Sequence, residues 1–288
     1  MTHACTHDCF HCFTNKTRRT LTLTQIKRVL MEAADMGTHA IDFLGEGEPT
    51  LDPDFFAIIE HTSALGMIPV VFTDAATRMM DRDFVRRTFD AGASVSPKCD
   101  SLFNRDYQNR IVNDSSSQYF DQRRKAIDLL LETGFNTPAK DGTTRMGFDM
   151  VVTAKNIAEV PQLLRYCRES NLWVIFTFYL PSGRSGHEDF DKSLAPTNEQ
   201  KQVMKGEILK IDINEFDFNH PIWSNITTSP CIERLQIYGD GRVSPCPGNE
   251  TILGRVQDYS LQELHRMTLE HFPLHNPTCF DGNCLYRK

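Results

Sequence analysis

The sequence has no apolar run near the roughly 18 residues that a membrane-spanning helix needs, so a helical membrane protein is not expected. It has no basic, apolar leader either. Met1 is followed at once by Thr2, His3 and Cys5, so no secretory signal is read and the chain is expected in the cytoplasm. Basic residues are the minority. Against 38 Asp and Glu stand only 31 Lys and Arg, a formal net charge of -7, which disfavours nucleic acid as a partner. There is no internal repeat and no low-complexity tract, so solenoids and disordered tails are set aside. What remains is a chain of 288 residues with 40% hydrophobic and 24% charged residues, enough for one large α/β domain with a modest extra module.

Cysteine is plentiful: the chain has nine. In a reducing compartment these read as ligands or buried thiols rather than disulfides. Seven fall in two groups near the chain ends, and the other two, Cys99 and Cys167, read as core thiols.

Between the groups the pattern alternates strand and helix. Apolar runs at Ala40 to Leu44, Ile68 to Thr73, Ser94-Val95, Met146 to Thr153 and Leu172 to Leu180 read as strands. Helices are expected after caps at Thr24, at Asp52 with Pro53, over Asp81 to Ala91, over Ser117 to Glu132 and after Asn156. Strict alternation predicts a parallel sheet with right-handed crossovers, and sites in such sheets lie at the carboxyl ends of the strands. Phe176, Phe178 and Tyr179 read as core, and Asp149 as facing the interior of the sheet with Val151. The pattern breaks near Pro181. A helix capped by Thr197, a hairpin of Leu235 to Tyr238 with Arg242 to Ser244, and a helix over Ser260 to His271 follow. The reading is a core of residues 1–190 and a module of 191–288.

Cys5, Cys9 and Cys12 have the spacing C-x3-C-x2-C. Three thiolates this close can wrap one face of a cubane iron–sulfur cluster and leave one iron open. A zinc site joined by His7 or His11 is the other reading of these residues. Downstream, Gly45-Glu46-Gly47-Glu48-Pro49 follows the first strand. Its glycines permit close backbone approach, and its carboxylates can accept from a cation.

The cysteine spacing, the helix after it and the Gly-Glu-Pro turn together resemble the radical S-adenosylmethionine (AdoMet) superfamily. The resemblance covers roughly Cys5 to Arg184. It implies an α/β fold of the partial (β/α)6 TIM-like barrel type and a [4Fe–4S] cluster on the three cysteines that chelates AdoMet. It also implies reductive cleavage to a 5′-deoxyadenosyl radical and a flavodoxin- or ferredoxin-type electron donor. By the same resemblance the turn and Glu48 would hold the methionyl ammonium. His11 would pack near the adenine, where relatives more often have an aromatic residue. Thr73-Asp74 stands where the family often has Thr-Asn-Gly. Ser96 and Lys98, Thr153 and Asn156, and Arg184 in a Pro-x-Gly-Arg-like ending (Pro181, Gly183) follow later strands as further cofactor contacts. Relatives also place a strand before the cysteine loop, where only four residues precede Cys5 here.

Cys231, Cys246, Cys279 and Cys284 form the second group. A four-cysteine zinc site and a second cluster both suit them. The pattern Cys-x9-Gly-x4-Cys, a helix and a cysteine pair resembles the twitch/SPASM-like auxiliary [4Fe–4S] module, although the last pair is C-x4-C where C-x2-C is commoner. This resemblance implies net oxidation or rearrangement of a small metabolite, with the auxiliary cluster as electron acceptor. A maturase acting on a peptide or protein is the alternative, and a non-enzymatic iron–sulfur or zinc protein a remote one. His187 and Glu188, just beyond the last strand, are candidates to face the substrate. No catalytic residue is assigned from the sequence.

Overall fold

The computed structural model describes residues 1–12, 14, 18–179, 191–217, 234–245 and 251–271. Its centre is a parallel sheet of β1 (Ala40–Phe43), β2 (Ile68–Thr73), β3 (Ser94–Pro97), β4 (Gly147–Val152) and β5 (Trp173–Phe178). Strands β1 to β3 and strands β4 and β5 form regular ladders. Two isolated parallel bridges, Val95 with Met146 and Lys98 with Asp149, join them. The Val95 and Cys99 amides donate to the Arg145 and Asp149 carbonyls, each at 2.8 Å.

The strands follow chain order, and right-handed crossovers then place every connecting helix on the same face. Helix α1 (Leu23–Asp35) precedes β1, and the connections carry α2 (Phe55–Ala64), α3 (Arg82–Asp90), α4 (Arg105–Ile111), α5 (Tyr119–Thr133) and α6 (Val160–Glu169). Phe148, Met150 and Val152 turn to that face and are fully buried, and Phe176 and Phe178 join the same core, as expected. Asp149 and Val151 alternate to the other, more open face. Among the described residues the sheet has five strands, one fewer than a six-stranded barrel.

Helix α7 (Asn198–Phe216) carries a capping box in which Thr197 and Gln200 exchange hydrogen bonds. It is fastened to α6 by a buried fork-to-fork pair, Arg168 to Asp212 at 2.8 and 3.0 Å. The hairpin β6 (Gln236–Ile237) and β7 (Arg242–Ser244) forms as read, with a third strand, β8 (Gly254–Arg255), beside it. Helix α8 (Leu261–His271) follows. This unit docks on the front of the chain. The Thr20 and Leu21 amides donate to the Gly239 carbonyl at 3.0 and 3.2 Å, and the Leu261 amide to Glu32 at 2.8 Å.

Some local expectations are corrected. Thr22, not Thr24, caps α1, because only Thr22 has a glutamine three residues on, Gln25, to complete a capping box. Asp52 and Pro53 do not open α2. A 3-10 turn, Pro49–Leu51, comes first, and Asp52 accepts instead from Arg19 at 2.6 Å and from the Asp54 amide at 2.9 Å. Asn156 makes no side-chain cap either. Its amide ties strand ends together, as described below. Helix α4 was not foreseen, since seven residues are too few for a 3.6-residue period to register. No described helix is long and apolar enough to cross a membrane.

Candidate active site

The cysteine loop lies across the carboxyl ends of β1, β2 and β3. Each stretch of it is pinned by a neighbour. The Ala4 carbonyl accepts from the Glu48 amide at 2.7 Å. Thr6 donates to Asp74 at 3.2 Å. The Asp8 and Phe10 amides donate to the Val112 and Ile111 carbonyls at 3.4 and 3.2 Å, and the loop closes with the Cys12 amide on the Cys9 carbonyl at 3.2 Å.

Cys5, Cys9 and Cys12 are of intermediate burial and stand in no disulfide. Burial pushes the Cys9 thiol well up, and the charges of Asp100, Cys12 and Cys5 push it further. A cationic metal core would relieve the Cys9 thiolate of this penalty. Among the described residues no group of His, Cys, Asp and Glu converges on one point as a single ion requires. A cubane carries its irons at separate corners, so its thiolates need not converge. The zinc alternative gains nothing from the histidines. His7 Nε2 faces Asp74 at 3.4 Å, and His11 Nε2 faces Asp100 at 3.3 Å.

The turn Gly45 to Pro49 sits directly under the residues before Cys5. A Cβ on Gly47 would lie 2.3 Å from the Ala4 carbonyl oxygen and 2.5 Å from the His3 carbonyl carbon. Gly47→Ala is therefore expected to push the cysteine loop off the turn. Overpacking of this kind costs about 1–3 kcal/mol, to be read as a lower urea midpoint together with weaker AdoMet binding by titration calorimetry. Glu46 is buried beside Gly239, the tip of the C-terminal hairpin.

Glu48 is buried and its carboxylate is spent inside the protein. One oxygen accepts from the Thr50 amide at 3.1 Å, the Thr50 hydroxyl at 2.6 Å and the Thr73 hydroxyl at 2.7 Å. The other accepts from the Asp74 amide at 2.7 Å. Burial raises its pKa, and the charge on Asp74 adds to the rise. Glu48 and Thr73 thus lock the turn to the end of β2, and Pro49 opens the buried 3-10 turn beyond it.

A second charged set follows β3. Lys98 Nζ lies 3.2 Å from both Asp100 and Asp149, and Asp100 also receives the Val151 amide at 3.0 Å. Desolvation pulls the Lys98 pKa down, but Asp100 and Asp149 more than offset it and hold the ammonium charged. Asp100 is fully buried, which alone would raise its pKa, yet Lys98, His11 and the Val151 amide hold it far below the usual carboxylate range. Ser96 is fully buried, and its hydroxyl has no hydrogen-bond partner among the described residues. His11 is buried, with its Nδ1 likewise unpartnered. Two buried polar atoms without partners, beside an ammonium on the open face of the sheet, fit a polar cofactor carrying a carboxylate and hydrogen-bonding groups.

Thr153 and Asn156 serve the walls. The Asn156 carbonyl oxygen accepts from the Thr153 amide at 2.7 Å, and its amide group donates to Asp100 and Val151 carbonyls at 2.8 and 2.9 Å. Thr153 shares a hydrogen bond with Tyr107 at 2.8 Å. Cys99 and Cys167 are fully buried, and burial raises both pKa values. They are packing residues. Pro181, Gly183, Arg184, His187, Glu188, Cys231, Cys246, Cys279 and Cys284 lie outside the described residues.

Asp74 and Asp100 join the two expected clusters of contacts, and sequence reading assigned a role to neither as a carboxylate. Arg123 was missed as well. It is buried in α5, and its guanidinium donates to Gln108 at 2.5 Å and to the Ser101 and Lys98 carbonyls at 2.6 and 3.2 Å. The available signal was position alone: Asp74 and Asp100 stand just past strand ends, where this class of sheet builds its sites.

Comparison with known proteins points the same way. The chain is similar to the mycofactocin maturase MftC of Mycolicibacterium smegmatis, 27% identical over 209 residues, 71% of this chain and 49% of that protein. It is similar to the GTP 3′,8-cyclase of Mannheimia succiniciproducens, 30% identical over 141 residues, 47% of this chain and 40% of that one. The chain thus spans about half the length of the curated relatives it matches. In fold it resembles Streptococcus suis SuiB bound to the precursor peptide SuiA, with a TM-score of 0.70 at 12% identity, covering 98% of this chain and 67% of SuiB. The model of the radical SAM superfamily matches residues 1–167, more than half of the chain. The chain therefore belongs to the radical SAM superfamily, whose members work with a [4Fe–4S] cluster and AdoMet.

Proposed function

We propose that the chain is a maturase that removes a hydrogen atom from a residue of a peptide substrate. The observation that carries this reading is the 209-residue similarity to a mycofactocin maturase. The fold shared with SuiB, a protein seen with its precursor peptide, agrees with it. The comparisons move weight from a small metabolite, the first expectation, to a peptide. The metabolite reading keeps one support, the similarity to GTP 3′,8-cyclase.

When bound, the cluster and AdoMet supply a 5′-deoxyadenosyl radical able to take hydrogen from an unactivated carbon. The residues of this chain bind and orient. In this reading Cys5, Cys9 and Cys12 are the ligands of the cluster. Backbone of the Gly45–Pro49 turn meets the methionyl ammonium, with Glu48 bracing the turn from behind rather than reaching out. Lys98 and Ser96 meet the carboxylate, and His11 lies by the adenine. Arg184 belongs to the same expected set of contacts, and Cys231, Cys246, Cys279 and Cys284 to an auxiliary cluster in the module of residues 191–288. The five-stranded sheet forms the wall of a partial barrel whose open face, with Asp149 and Val151, looks onto the substrate.

The test is deuterium transfer. Reconstituted, reduced protein is given AdoMet with either a candidate precursor peptide uniformly deuterated at its side chains or deuterated GTP. Deuterium in 5′-deoxyadenosine from the peptide alone supports the maturase reading. Deuterium from the nucleotide alone would overturn it in favour of the metabolite.

A further inference from the structure

Asp74 follows β2 at the place where the family often carries asparagine, and it collects donors from several directions. Its Oδ1 accepts from the Ala76 and Thr77 amides at 2.8 and 3.1 Å. Its Oδ2 accepts from the Thr77 hydroxyl at 2.8 Å and the Thr6 hydroxyl at 3.2 Å, and it faces His7 Nε2 at 3.4 Å. Its carbonyl accepts from the Tyr119 hydroxyl at 3.0 Å, and the Tyr119 ring meets His7 edge-on at 4.6 Å. Its amide donates to Glu48. The Thr6 and Thr77 hydroxyls are themselves 3.0 Å apart.

Thr6 and His7 are two of the three residues between Cys5 and Cys9. One carboxylate therefore holds the span that separates two of the three thiols. An asparagine keeps only part of this. With its NH2 turned toward Thr6 and His7, the hydroxyls and the imidazole must turn to accept where they now face an acceptor. With its NH2 turned the other way, it meets the Ala76 and Thr77 amides. Only a carboxylate accepts from the Ala76 and Thr77 amides and from the Thr6 and Thr77 hydroxyls at the same time.

We propose that Asp74 is a positioning residue for the iron–sulfur cluster: it sets the spacing of Cys5 and Cys9 through Thr6 and His7, and its charge tunes the cluster that those cysteines hold. The proposal rests on the assignment of Cys5, Cys9 and Cys12 as ligands. A half-buried carboxylate beside a cluster opposes the electron that reduction adds, so removing its charge raises the reduction potential.

The test compares Asp74→Asn with the parent, both reconstituted anaerobically. Two readouts are used. One is the rate at which a ferrous chelator strips iron. The other is the midpoint potential of the cluster whose electron paramagnetic resonance signal changes on addition of AdoMet. Asp74→Asn should lose iron about 10-fold faster, the low end for loss of an outer-shell partner, and its potential should move to less negative values. The pair Thr6→Val and His7→Phe leaves Asp74 in place but cuts its hold on the loop, and it should reproduce the faster loss. Adding Asp74→Asn to that pair should then accelerate loss little further, since contacting residues are not additive. Unchanged release and potential in Asp74→Asn would overturn the proposal, as would full additivity with the loop pair. A parent that keeps its AdoMet-responsive cluster after Cys5, Cys9 and Cys12 are all replaced would instead sink the ligand assignment beneath it.

Discussion

Replacing Cys5, Cys9 and Cys12 together by alanine is expected to reduce release of 5′-deoxyadenosine from AdoMet to the non-enzymatic background while leaving the fold in place. The three thiols are only partly buried, and the loop that carries them is held by other atoms. The anchors are the Ala4, Asp8 and Phe10 backbone and the Thr6 and His7 side chains. Substitutions that spare such anchors usually change stability by about 0.5 kcal/mol. Without thiolates the loop keeps a hydroxyl, a carboxylate, two imidazoles and backbone oxygens, but none of the sulfur ligands that hold a cubane. Iron and sulfide per chain, 5′-deoxyadenosine by chromatography and far-ultraviolet circular dichroism check the three parts of the expectation. If the second cysteine group carries its own cluster, roughly half of the iron stays behind. Turnover that survives the triple replacement would mean that the radical chemistry is not housed on this loop.

Arg123→Met is expected to be the most destabilising single change in the core of the molecule. Methionine fills much of the same space but donates nothing. The guanidinium is fully enclosed, stands near the rings of Tyr119 and Phe120, and satisfies Gln108 and two backbone carbonyls. At about 1.5–3 kcal/mol for each charge-assisted bond, the loss comes to roughly 4 kcal/mol or more. A urea titration should show it as a lower midpoint with an unchanged slope. The effect reaches the site as well. One of the orphaned carbonyls belongs to Lys98, and Ser101 and Gln108 hold the loop that presents Asp100. AdoMet binding should therefore weaken even at urea concentrations where the variant is still folded. A midpoint within 1 kcal/mol of the parent, after conversion with the measured slope, would contradict this account.

The core strands were legible because each is a short apolar run bounded by turn residues. Ile68–Thr73 falls where its sequence places it, and Ala40–Phe43 ends one residue early. The cysteine spacing and the turn at Gly45 were legible as motifs. Caps were less so. The run Thr20-Leu21-Thr22-Leu23-Thr24 offers several candidate caps at alternate positions, and only the reciprocal bond with Gln25 selects Thr22. The network behind the motifs was not legible at all. Asp74, Asp100 and Arg123 lie 49 residues apart at the extremes, and no local period links them. The parallel register of β2, β3 and β4 brings the ends that carry Asp74 and Asp100 side by side, and Arg123 reaches the same loop from α5. Glu48 shows the same limit. Its motif suggested a ligand, and only the positions of Thr50, Thr73 and the Asp74 amide reveal a carboxylate committed to bracing the turn.

The contrast in burial among the cysteines has a practical consequence. Cys99 and Cys167 are sealed in the core, whereas Cys5, Cys9 and Cys12 are partly open. Brief alkylation of the folded protein with a light isotopic reagent, followed by unfolding and a heavy one, should mark the two classes differently in peptide mass spectra. In metal-free protein the loop peptide should carry the light label and the two core peptides the heavy one. Occupancy of the loop should shift its peptide from light to heavy, with Cys99 and Cys167 as fixed internal references. The molecule thus contains its own calibration for how much of a preparation is loaded, readable in crude samples where cluster absorbance is masked.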